Sequence, residues 1–239
     1  MKKYLYIYKA TLIENLSYIL SIALGFINFF VMMFVFLNLW QYIYSDNSQI
    51  INGYTNSQMI WYVLITEVLW FGTRNKILTK EISQDIKSGN IAYNINKPYN
   101  YVFYIIAKHL GEITIKFILF AIVGMIIGIC FVGPIENFNF MNIVFLLITV
   151  FLGILINSIL RIIISIFSFW IEDSTPFHWV YDKLILVLGT LFPIEMFPKV
   201  LQPIMKFTPI YVVTYGPAKL IIDFNMQNFI HILVAQIIY

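Results

Sequence analysis

An all-α polytopic membrane bundle is the fold class this sequence predicts, and three observations predict it. Of 239 residues, 60% are hydrophobic and only 11% are charged, against roughly 25% charged in a soluble domain. Residues 15–45 contain no charged side chain at all. Several further apolar runs approach the roughly 20 residues that a helix needs to cross about 30 Å of hydrocarbon. One membrane domain over residues 1–239 accounts for this content.

The N-terminal stretch 1–16 interleaves Tyr4, Leu5, Tyr8, Leu12 and Leu16 with Lys2, Lys3, Lys9 and Glu14. That mixture suits an interfacial helix at headgroup depth, feeding the first span. It lacks the short apolar core and small-residue site of a removable signal peptide. The first span has its apolar centre at 18–40. The second, at 58–71, is shorter and carries Glu67, and the uncharged polar stretch before it can supply the missing turn. The third covers 113–132, closed by Gly133 and Pro134, and the fourth covers 141–169.

A fifth run, 179–192, stops at Pro193, whose ring and missing N–H end a helix. Between 193 and 217 five prolines, Pro193, Pro198, Pro203, Pro209 and Pro217, alternate with apolar residues. Such a segment is expected to dip into the membrane as two short helices, with its broken backbone satisfied by the other spans. A sixth span starts near Phe229, and its remainder is expected beyond Tyr239.

Lys and Arg near span ends favour the cytoplasmic side. Lys2, Lys3 and Lys9 precede the first span, and Arg74, Lys76, Lys80, Lys87, Lys97 and Lys108 lie between the second and third. The connections 41–57 and 133–140 have neither residue. Both termini are therefore expected in the cytoplasm of a plasma-membrane protein, although Lys199, Lys206 and Lys219 then fall outside.

The longest polar break, 72–100, lies on the cytoplasmic side. Within it Ile82 and Ile86 share one helical face, surrounded by Lys80, Glu81, Ser83, Gln84, Asp85 and Lys87, and Gly89 is placed to end the helix. A short amphipathic helix of this kind fits a groove on a partner protein or lies on the lipid surface; the pattern alone does not separate the two. Three charges fall within spans, Glu67, Lys116 and Arg161. Snorkelling, or a structural pair such as Glu67 with Arg161, is weighed above a substrate-reading role.

Catalytic and cofactor signatures are missing. There is no H-E-x-x-H, no G-x-S-x-G and no phosphate loop, so any ATP and Mg2+ belong to a partner subunit rather than to this chain. His109, His178 and His231 lack metal-ligand spacing, and the lone Cys130 excludes an internal disulfide. The net charge of +3, clustered by membrane side, argues against a nucleic-acid partner. Val212 to Gly216 lacks the central glycine of a potassium-channel filter.

The segment from Glu81 and Ile82 through Gly89 to Pro98 resembles the cytoplasmic segment of ABC-2-type permeases. Phe169-Trp170, Glu172-Asp173, Gly189, Phe192-Pro193, Phe197-Pro198, Leu201, Pro209 and Pro217 are similar to that family's aromatic-acidic turn and proline-punctuated re-entrant region. The likeness covers nearly the whole chain and lies nearest the drug and antibiotic exporters. It implies a type V exporter-like fold: six spans, an interfacial helix, a coupling helix within 72–100 and an extracellular re-entrant hairpin at 193–217. It further implies a second permease subunit alongside and an ATP-binding-cassette ATPase subunit beneath. Two other classes remain open, an ion-coupled secondary transporter and a non-transporting membrane assembly subunit.

Overall fold

The computed structural model describes residues 2–44, 49–74, 77–135 and 138–239. Lys76, one of the cations used for orientation, lies outside the described residues. Apart from one antiparallel bridge between Ile51 and Tyr54, the regular elements described are helical.

Helix α1 (Lys2–Leu16) ends in a tight turn at Ser17 and Tyr18, and α2 (Ile19–Ile43) follows at once. The Tyr4 hydroxyl accepts from Asn100 N at 2.9 Å, just before α6 (Tyr101–Phe131), and Tyr8 donates to Thr114 Oγ1 within it at 3.2 Å. The pairs ascend together in number, so α1 runs beside the first half of α6 in the same direction. The helix read from sequence as interfacial is thus packed lengthwise on a span.

α3 (Asn56–Thr73) begins with a capping box. Thr55 Oγ1 accepts from Gln58 N at 3.2 Å, and Gln58 Oε1 accepts from Thr55 N at 3.1 Å. Two of the first-turn amides that would otherwise lack partners are satisfied this way. Every residue from 59 to 69 is buried, which makes α3 the central helix of the bundle. Phe29 of α2, Phe71 of α3 and Phe120 of α6 meet there, with ring centroids 5.3–5.7 Å apart.

The charged residues at 108–116 do not interrupt α6, which starts at Tyr101 instead of near 113. Asn100 caps it, its Oδ1 accepting from Val102 N and Phe103 N. At about 1.5 Å per residue the helix is roughly 46 Å long, more than the hydrocarbon needs. A 3-10 turn (Phe140–Asn142) leads into α7 (Ile143–Ile166) and the short α8 (Ser168–Ile171). By length and hydropathy three helices among the described residues qualify as membrane spans: Ile22–Ile43, Tyr101–Phe131 and Phe140–Ile171. Phe34, Phe131, Val144 and Leu147 stand exposed on them, a surface that suits lipid and not water.

The remaining runs are shorter. α9 (Thr175–Ile185) continues through a π-helical turn (Leu186–Leu191) and stops before Pro193. The proline-rich segment forms a 3-10 turn (Ile194–Met196) and α10 (Leu201–Lys206). A helix then runs over 209–222, comprising a π-helical turn (Tyr211–Tyr215) and α11 (Gly216–Ile222). α12 (Met226–Ile238) closes the chain.

Pro217 has no N–H, so in the π-helical register the carbonyl of Val212, five residues before it, loses its helical donor. Gln236 Nε2 of α12 supplies one in place, at 3.0 Å from Val212 O, and also reaches Thr149 O at 2.8 Å. α7 comes close on the same side at Gly153, where an added Cβ would lie 3.1 Å from Val213 O. A side chain from α12 thus compensates the break in the ladder, as burial away from water requires.

Candidate functional site

Two groups of charged and polar side chains lie at the two ends of the bundle. At one end lie Arg74, Lys80, Lys87, Lys97 and Lys108 together with the start of α1, whose Lys3 Nζ donates to Pro98 O at 2.6 Å. At the other end the α2–α3 connection meets the proline-rich segment.

At the Lys/Arg-rich end, a π-helical turn (Ile77–Glu81) runs into α4 (Ile82–Lys87). Ser88 closes that helix, and Gly89 then adopts φ +75°, a left-handed conformation that costs an L side chain about 1 kcal/mol. The reversal sets α5 (Asn90–Ile95) against α4.

The residues expected to meet a partner divide into two groups. Ile82 is only 2% exposed and packs with Ile77, Leu78, Ile105 and Ile162, while Ile86 lies half-buried against the same cluster. This corrects the expectation that these two isoleucines form an outward apolar ridge: the helix turns that face to its own bundle because α6 and α7 present isoleucines there. Glu81 is paired with Lys108 of α6 at 2.5 Å. Asp85 accepts from the Tyr101 hydroxyl at 2.8 Å and from Asn94 Nδ2 at 2.9 Å. Lys87 stands 3.9 Å from Asp173, in the turn before α9. Gln84, Lys87, Gly89, Tyr93 and Ile95 are among the residues that remain outward, and of these Tyr93 is 70% exposed.

Serines join α4 to the α7–α9 side. Ser168 donates to Ser83 at 2.8 Å, and Ser83 and Ser174 share a proton-bearing contact at 2.6 Å. Ser165 donates to Leu78 O and contacts His178 Nε2 at 2.8 Å. The polar segment is therefore bonded to α6, to α7 and to the start of α9. Asp173 receives both the hydroxyl and the amide of Thr175, which hold its carboxyl below the ordinary range, and Lys87 acts in the same direction.

The charges within spans follow a different pairing from the one expected. Arg161 bonds Asp182 of α9 at 2.7 Å, not Glu67, because the fifth run carries its own carboxylate on the face turned to α7. Lys116 donates to Arg74 O at the end of α3. Glu67 is 1% exposed, and neither carboxylate oxygen has a hydrogen-bond partner among the described residues.

At the opposite end, Glu195 is the hub that the sequence reading missed. Tyr54 donates to its Oε2 at 3.0 Å and Tyr215 to its Oε1 at 2.5 Å. Tyr44 donates to Tyr54 O at 2.9 Å, and Lys219 sits 4.5 Å from the centroid of the Tyr54 ring. Pro193 precedes this 3-10 turn, and Phe197 meets Phe192 edge-on at 6.1 Å. Pro198 follows Phe197 in the turn toward α10, and Pro209 opens the helix that carries Tyr215. No periodicity ties residue 195 to 54; only an acidic residue standing alone among prolines could have marked it.

The sequence pattern of ABC-2 family transporter proteins matches residues 29–239. No curated protein matches the chain.

Proposed function

From the premise that the chain belongs to the ABC-2 family of transporter proteins, we propose that it is the membrane-embedded permease subunit of an ATP-driven exporter. The observation that carries the reading is the bonded polar segment at the Lys/Arg-rich end. Glu81 and Asp85 bond Lys108 and Tyr101 of α6 and Lys87 approaches Asp173, so a force applied to α4 and α5 passes into α6 and the α8–α9 turn. The concentration of Lys and Arg there makes this end cytoplasmic.

ATP and Mg2+ belong to a separate ATP-binding-cassette ATPase, and this chain is not catalytic alone. Two permease subunits stand side by side, and a hydrophobic or amphipathic substrate leaves the cell between them. The outward face of α4–α5, with Tyr93 and Ile95 as apolar anchors and Gln84 and Lys87 at the rim, meets the ATPase. Gly89 forms the tip between the two short helices. The outer end, with Glu195 and the prolines of 193–217, closes the extracellular side.

The test replaces Tyr93 and Ile95 together by Asp and measures ATPase retained on purification and ATP-dependent efflux. Both fall by about 10-fold or more, with the melting temperature of the permease unchanged. Wild-type retention and efflux overturn the coupling assignment.

A buried carboxylate with no hydrogen-bond partner among the described residues, Glu67, favours one second reading, an ion-coupled secondary transporter. Proteoliposomes without ATP separate the two. Uptake driven by a pH gradient and abolished by Glu67→Gln establishes the second reading and removes the first.

A further inference from the structure

Helix α2 buries one side and exposes the other. Phe29, Met33, Phe36 and Trp40, at helical spacing, face the bundle, and Phe29 packs on Phe71 of α3 and Phe120 of α6. On the opposite side Leu24, Asn28, Val31, Val35, Asn38 and Tyr42 are all exposed. Their alternating steps of four and three residues keep them on one seam, the spacing by which two helices wrap around each other.

The two asparagines set this seam apart. Over 113–131 of α6 and along α7 every exposed side chain is aliphatic, aromatic or sulfur-bearing, and α7 buries its Thr149, Asn157, Ser158 and Ser165. Those two spans keep polar groups off the lipid surface, and α2 does the reverse. Asn28 carries the argument by its depth. It adjoins Phe29, whose ring meets that of Phe120 at 5.3 Å, one turn of α6 beyond Lys116. Within the span Ile22–Ile43 it stands about 9 Å from the inner end at about 1.5 Å per residue. Its carboxamide makes no hydrogen bond to the described residues. Asn38, nearer the outer end, donates one N–H to Phe34 O at 2.7 Å and keeps its second N–H and its carbonyl free for another chain. Hydrocarbon leaves such groups unpaired unless a further protein surface meets them.

The chemistry of the seam names its partner. A carboxamide holds a donor and an acceptor side by side, so it is its own complement. A second copy of the chain inserts in the same direction, because its Lys and Arg select the same side. A two-fold axis along the bilayer normal then brings each residue of the seam to its own counterpart at the same depth. Asn28 faces Asn28 there, each amide donating to the other's carbonyl. Lipid tails supply neither group. Val31 and Val35 pack between the two asparagine levels as interlocking apolar side chains.

We propose that the α2 seam is the surface on which two copies of this chain pair, held in register by reciprocal hydrogen bonds at Asn28 and, toward the outer end, at Asn38. The proposal rests on the reading of two permease subunits side by side, and adds that they are identical and meet through α2.

The test uses the full chain in its membrane, with Cys130→Ala as background and Val31→Cys, Val35→Cys or Ile122→Cys added singly. A disulfide forms only where Cα atoms come within about 4–7 Å. Under mild oxidation the two seam variants give a band of twice the chain mass, and Ile122→Cys, on the exposed face of α6, does not. In liposomes, energy transfer between labelled chains shows that Asn28→Leu weakens association by about 10-fold, while Asn28→Gln stays close to the wild type. Both positions are exposed in the single chain, so helix content is unchanged. Crosslinking at Ile122 but not at Val31 or Val35, capture of a chain of different mass by the seam, or undiminished association of Asn28→Leu overturns the proposal. ATPase retention and efflux are measured in the same membranes before oxidation. Their absence in the wild type removes the exporter reading, while crosslinks confined to the seam still support pairing through α2.

Discussion

Arg161 of α7 and Asp182 of α9 form an ion pair at 2.7 Å in which the arginine side chain is 7% exposed and the aspartate 17%. The guanidinium also lies 5.2 Å from the Tyr181 ring and 5.9 Å from that of Trp70, so it joins three helices. Removing one partner of such a pair strands a charge away from water, which costs about 3–5 kcal/mol, whereas replacing both by apolar groups is near neutral. Asp182→Leu is therefore expected to lower the thermal midpoint in detergent sharply, and Arg161→Met with Asp182→Leu to restore most of it. Additive losses in the double variant would show that the pair is not what holds α7 to α9.

Glu195 links the α2–α3 connection to the helix carrying Tyr215, through two tyrosine hydroxyls. A hydroxyl left unpaired in a half-buried site costs about 1–3 kcal/mol. Glu195→Leu is expected to speed amide exchange in peptides covering 51–55 and 209–216, with Glu195→Gln closer to the wild type because its carbonyl accepts from one tyrosine hydroxyl while its amide donates to the other. Exchange confined to one of the two peptides would mean that Glu195 does not couple them.

These two relationships show which parts of the molecule were legible in the sequence. The class of fold followed from charge-free runs, because a bilayer demands composition before geometry. Local signals also carried through: Gly89 marks a chain reversal, and the polar stretch before Gln58 supplies the first turn of α3. Partner choice did not follow. Asp182 and Glu195 stand 21 and 141 residues from Arg161 and Tyr54, and no periodicity encodes such separations. The apolar run at 113–132 lies within the longer α6, because a helix that overshoots the hydrocarbon carries its charges beyond it. Ile82 was assigned to a partner because amphipathic pattern reveals an apolar face and not what covers it.

The Lys87–Asp173 contact responds to pH in one direction. Thr175 holds the Asp173 carboxyl below its ordinary value of 3.8, with Lys87 assisting. A group depressed in the folded state contributes fully above its unfolded value and loses that contribution as pH falls through the folded value. The tie between α4 and the α8–α9 turn is thus intact at neutral pH and fails only under acid. ATP-driven efflux of Lys87→Met is expected to differ from the wild type equally at pH 6 and pH 8. A difference that vanishes at pH 6 would place the titration elsewhere.

Gln236 and Pro217 are expected to be coupled energetically although they lie on different helices. Proline removes the donor that the Val212 carbonyl would otherwise have, and the Gln236 amide replaces it. Gln236→Leu leaves that carbonyl unpaired in an apolar setting, at about 1–3 kcal/mol. Pro217→Ala alone restores an N–H to the ladder and is expected to be mild. In the double variant the restored amide takes over the acceptor that the glutamine served, so the loss from Gln236→Leu shrinks by about 1 kcal/mol. Thermal unfolding of the four proteins in one detergent measures this difference. A coupling of zero would mean that the carbonyl finds another donor, and that the bond from α12 is incidental to holding the proline-broken helix in place.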